Sequence, residues 1–200
     1  MRVSSVVHLK RLGSVLIVAL LAGCSSMPVG SILPLARINI ETTALPVLRV
    51  AVRLPEGLRP QPGGVVLDAV TKLTGKPDRT ESFLMVETEG AGDLAGLVGE
   101  TREGFSLFAY RLAADDIPRF EALRQQITAA RRAGQNGSLG FGIATREFCL
   151  TAGPVAGPIL ASTYLSTSET GQYVTASQDL DLRSQPEVAA SMASLVACKS

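Results

Sequence analysis

Along most of this chain the apolar residues recur at every second position, and in only one long stretch at every third or fourth. Period two is the spacing of a strand with one buried face, so a largely β fold is the first constraint. Ile38 and Ile40 alternate with Asn39 and Glu41, and Leu48, Val50 and Val52 with Arg49 and Arg53, which predicts half-buried strands with one wet face. PEGLRPQPGG breaks the pattern, VVLDAVTKL from Val65 resumes it, and TGKPD interrupts it again. Further strands are predicted at about 82–89, 105–112, 138–150, 159–166 and 172–181.

The exception is ADDIPRFEALRQQITAARRAGQNG, where Ile117, Phe120, Leu123, Ile127 and Ala130 form a single stripe. That is an amphipathic helix at about 116–133. Asp115 or Asp116 can cap it, Pro118 fits its first turn, Arg131 and Arg132 suit its negative end, and Gly134 can stop it. A short C-terminal helix follows: Ser184 and Glu187 read as a capping box around Pro186, and Val188, Met192, Leu195 and Val196 as its apolar face up to Cys198. The fold class expected is a mainly β, antiparallel β-sandwich with these two helices appended. An α+β single sheet covered by the long helix is the alternative. The strands on either side of that helix also suit a βαβ unit, which would make them parallel.

At the amino terminus Arg2, Lys10 and Arg11 precede an uncharged apolar run from Leu12 to Ala22, about half the length that a membrane-crossing helix needs. Leu21, Ala22, Gly23 and Cys24 then resemble the lipobox of bacterial lipoproteins. The resemblance covers about the first two dozen residues. It implies cleavage before Cys24 and acylation of that cysteine, including a palmitate-type chain, which satisfies the need for more than one acyl chain in a stable anchor. Ser25, where the family's inner-membrane retention signal would place an aspartate, implies the outer membrane. The organisation expected is a signal peptide at 1–23, an anchor and tether at 24–36 punctuated by Pro28 and Pro34, and one globular envelope domain at 37–200.

Residues 1–23 hold three of the chain's 19 basic residues, none of its 18 acidic ones and its only histidine, so the remainder has 16 against 18 and is slightly acidic. That balance argues against a nucleic-acid partner, which needs a basic face. Assigning Cys24 to lipid leaves Cys149 and Cys198 as a pair in an oxidising compartment. A disulfide between them would stabilise the fold by about 4 kcal/mol in the chain-entropy account.

Without histidine, residues 24–200 offer no Ser-His-Asp triad, no Cys-His pair and no HExxH zinc site. Gly90, Gly92 and Ala95 follow a strand in the GxGxxA spacing of a dinucleotide site, but Gly96, Gly99 and Gly104 break the helix that site requires, so the stretch reads as a mobile glycine-rich loop. Cofactors and metals are therefore not expected. Glu87 with Glu89, and Asp179 with Asp181, are carboxylate pairs two apart on strands, read as a solvated face. No catalytic residue is assigned. Function follows as a lipid-anchored, non-catalytic binding or assembly module contacting another envelope protein; a histidine-free envelope enzyme, such as a glycan hydrolase using two carboxylates, is the alternative.

Overall fold

The computed structural model describes residues 28–88, 90–153, 155–193 and 195–199. Residues 1–23, expected to be a signal peptide, and Cys24 lie outside the described residues. No helix among those described is long and apolar enough to cross a membrane.

The protein is mainly β, built on one strongly curled antiparallel sheet. In chain order its strands are β1 (Arg49–Pro55), β3 (Val65–Leu73), β4 (Arg79–Glu87), β5 (Phe105–Leu112), β6 (Gly137–Thr145), β8 (Leu160–Ser166) and β9 (Val174–Asp181). Across the sheet the order is β6-β3-β4-β5-β1-β8-β9. A smaller sheet joins β2 (Leu58–Pro60), β7 (Phe148–Leu150) and β10 (Val196–Ala197) in the order β10-β7-β2. Two helices that matter for packing are α1 (Ile32–Ala36) and α2 (Asp116–Arg132), and α3 (Pro186–Ala193) closes the chain's helical content.

Period two does what it should in β3, where Val65, Leu67 and Ala69 are buried and face the core while Val66 and Asp68 are only half-buried. The stripe of α2 lies on the same side: Phe120, Leu123 and Ile127 are buried, and the Phe120 ring tilts against Phe83 of β4 at 4.8 Å between centroids. Gly134 ends α2 as expected, with φ at +80°, while Gln135 N–H returns to the Ala130 carbonyl and Gly134 N–H to that of Arg131. Such a closure needs the left-handed conformation that glycine takes at little cost.

Several expectations are corrected. Neither Asp115 nor Asp116 caps α2: Asp115 makes no cap bond, and the Asp116 carboxylate instead accepts Leu84 N–H at 2.5 Å, tying the helix to β4. Ile38 and Ile40 are in no strand: Ile40 sits in a turn that follows Ile38, where Asn39 accepts from Thr42 N–H and Thr43 N–H through its carbonyl and from Glu41 N–H through its side chain. The run at 138–150 is two strands in different sheets. The βαβ reading fails, since three successive antiparallel pairings separate β5 from β6 and leave them antiparallel, with α2 carrying the chain to the sheet's far edge. Ser184 ends a separate turn, Leu182–Ser184, with its hydroxyl donating to the Asp181 carbonyl, and the last helix begins at Pro186 and stops at Ala193, so that Val196 pairs with Cys149 in a parallel strand. Part of the span read as tether is folded: the single turn Val29–Ser31 and α1 pack along β9, burying Ser31.

Candidate functional site

Curling brings the two edges of the large sheet, β6 and β9, to the walls of one cavity of about 310 Å³. Val52 and Leu54 of β1 form its floor, Ile143 and Thr145 one wall, Ser177 and Leu180 the other, and Val188 and Ser191 of α3 close it over. Aliphatic groups line the depth and hydroxyls are interspersed, with Thr163 and Ser177 among them; Arg146 is the one charged group in the lining. Its guanidinium bonds Asp68 on β3 and reaches Ser82 Oγ at 3.3 Å. Such a size and lining suit an apolar group held by a few polar contacts.

The β6 edge carries more than side chains. Two bonds that extend the β3–β6 ladder beyond its ends, Arg146 N–H to Gly64 O and Thr74 N–H to Asn136 O, fix its parity. Even-numbered residues of β6 therefore turn their amides toward β3, and Gly137, Leu139, Phe141, Ile143 and Thr145 turn theirs away from the sheet. Side chains occupy one end of that row. Arg131 Nε donates to the Gly137 carbonyl at 2.8 Å, and the Glu41 carboxylate, itself paired with Arg131, accepts from Leu139 N–H. These contacts, with the Arg131 hydrogen bond foremost, hold the Glu41 carboxyl below its ordinary value. At Phe141, Ile143 and Thr145 no such cover is present among the described residues.

The opposite face of the sheet holds a second cluster. Ala91–Glu100, a ten-residue 3-10 strap, lies over β1 and β8 and buries Leu97 against Ala51 and Tyr164. Beneath its end Arg53 is 5% exposed, and its guanidinium donates to Ser162 Oγ and Asp179 at 3.0 Å and to the Glu100 carbonyl at 3.0 Å. Tyr164 hydroxyl donates to Glu100 at 2.7 Å, and burial together with that bond pushes its pKa up to about 12. Arg53 was expected on a wet face. The strap covers it, which the alternation of β1 alone does not reveal.

The chain matches no protein-family model, no curated protein and no solved structure.

Of the residues singled out in the sequence, Cys149 and Cys198 meet, with Cα atoms 4.8 Å apart in disulfide geometry. They clamp β10 to β7 directly after α3, so the cavity's cover is held at its far end. Asp179 and Asp181 are half-buried and bonded rather than a solvated face. Asp179 answers Arg53 from a bulged position with φ at +49°, and Asp181 accepts from the amides of Ile159 and Arg183. Glu87 pairs with Arg59 at 2.7 Å, and Glu89 lies outside the described residues. None of these carboxylates lines the cavity. Gly90, Gly92 and Ala95 belong to the 3-10 strap or its start, with no α-helix behind them to receive a pyrophosphate, and the stretch is a packed strap rather than a mobile loop. Among the described residues no group of three or more His, Cys, Asp or Glu is placed to hold a metal. Ile143 and Arg146 were missed; the alternation of Gly140 and Gly142 with Leu139, Phe141 and Ile143, which strips one face of β6, is the signal that marks this strand as unusual.

Proposed function

We propose that this chain is a lipid-anchored envelope lipoprotein whose domain is a non-catalytic binding or assembly module, held through Cys24 at the periplasmic face of the outer membrane. The observation that carries the binding reading is the cavity between the sheet edges. Its lining pairs aliphatic depth with hydroxyls and has Arg146 as its only charge, so it offers a surface for recognition and no acid or base placed for proton transfer. A two-carboxylate hydrolase needs carboxyl groups facing each other across a cleft, whereas Asp179, Asp181 and Glu87 are committed to Arg53, to backbone amides and to Arg59. Placement rests on the lipobox at 21–24 and on the pairing of Cys149 with Cys198, a bond that persists in an oxidising compartment.

The test is fractionation of cells expressing the protein and its Cys24→Ser variant, with mass analysis of the amino-terminal peptide. Acyl mass on Cys24 and outer-membrane recovery, both lost in the variant, are the expected results. Outer-membrane recovery of an unacylated Cys24→Ser protein would overturn the reading.

A further inference from the structure

We infer that the free half of the β6 edge, residues 141–145, receives an extended segment of a partner protein as an added strand, one of whose apolar side chains enters the cavity. The inference rests on the binding-module reading and gives that module's partner its chemistry. Phe141 and Ile143 each aim an N–H and a C=O away from the sheet, at half-buried positions. Backbone groups in such surroundings call for hydrogen-bonding partners, and another extended backbone matches both at the right spacing. Residues paired across two strands put their side chains on the same face, so the residue opposite Ile143 projects where Ile143 does, toward Val52, Leu54 and Leu180. An aliphatic side chain is what that space fits.

Charge sets the end of the segment. Arg146 follows β6 at the cavity, is half-exposed, and uses two of its nitrogens on Asp68 and Ser82, while no carboxylate lines the cavity. An acidic residue or terminal carboxylate beside Thr145 complements it and a lysine does not. The opposite end of the edge is blocked by Glu41 and Arg131, which limits the added strand to a few residues and disfavours two-fold pairing of β6 with β6 of a second copy. Nothing in β6 repels such an addition: it spans nine residues in unbroken register, with no proline, bulge or charge.

The experiment uses the full-length protein purified in detergent and a displayed library of random heptapeptides, with counter-selection on Ile143→Pro. The Ile143 N–H points away from β3, so proline there removes a donor that the fold does not use. Enriched peptides are expected to alternate apolar residues and to carry an acidic residue toward one end. A synthetic winner methylated on the backbone nitrogens that face β6 should bind about tenfold more weakly or worse, a comparison that stands even where Ile143→Pro fails to fold. Absence of enrichment, or equal binding of the methylated peptide, overturns the inference. So does self-association in sedimentation that Ile143→Pro abolishes, since the occupant would then be a second copy. Each of these failures leaves acylation and fractionation of Cys24 untouched, so the anchoring proposal stands or falls separately.

Discussion

The two edges of the curled sheet are treated differently by the same sequence. At β9 the backbone is bulged, Asp179 and Asp181 bring charge, Arg53 pins the bulge from beneath the strap, and α1 packs alongside. These are the devices by which proteins stop a sheet from growing. β6 has none of them over its last residues, and its outer face there is reduced to Gly140, Gly142 and Ala144. One edge is finished and the other is left able to continue. The contrast teaches that an open edge in this fold is a local choice, since a residue set capable of closing it is used on the facing edge across the cavity.

Four expected outcomes test that contrast, from the largest effect to the smallest. Cys198→Ser releases the clamp that holds α3 over the gap between the edges and should cost up to about 4 kcal/mol, read as a lower melting temperature with early loss of amide protection in α3 and β10. An unchanged melting temperature would detach the clamp from the stability of the gap. Arg53→Met removes the cation beneath the finished edge. Its loss should cost about 2 kcal/mol, less than for a fully buried pair, because Glu100 and Asp179 reach water once released. Chemical denaturation measures the cost, and β9 should become the first part of the sheet to exchange.

Gly142→Lys installs on β6 a device that β9 already has. No heavy atom lies within 4 Å of where its Cβ would stand, and Asp68 is its partner across the ladder, so stability should rise by about 0.5–1 kcal/mol while any strand addition weakens. A destabilised protein would show that β6 tolerates no side chain there. The last outcome concerns the covered end of β6. Folding holds the Glu41 carboxyl below its ordinary 4.5, so its contribution is complete above that value and is lost as pH falls through the lower folded one. Amide exchange at Leu139 should accelerate below about pH 4.5 relative to its pH-corrected rate, whereas exchange at Ile143 should keep the ordinary dependence.

Local pattern made much of this architecture legible. The strand at 65–73 and the stripe of α2 follow from period alone, because each is decided by which of its own faces is buried. Where tertiary partners decide, the pattern misleads. Ile38 and Ile40 alternate like a strand, yet Asn39 organises a turn at Ile40; Val196 fits a helical face, yet the pairing of Cys149 with Cys198 brings it beside β7 as a strand. The cysteine pairing was readable from parity and compartment. The cavity was not, since it exists only through sheet curl and a strand order that places sequence-distant β6 and β9 opposite each other. Arg53 was misread for the same reason, its cover arriving from the strap rather than from its neighbours in β1.

The central position of β1 has a consequence in time. Arg49 pairs with Arg111 on one side and with Ser166 on the other, so the first strand to be synthesised waits longest for its second neighbour. Pairings so distant in sequence make folding slow and leave apolar strands exposed meanwhile. Between the synthesis of β1 and the arrival of β8, the apolar run from Val50 to Leu54 has at most β5 beside it and keeps one edge unpaired. A delay in synthesis before residue 160 should therefore send the chain into aggregates more readily than a delay after residue 166.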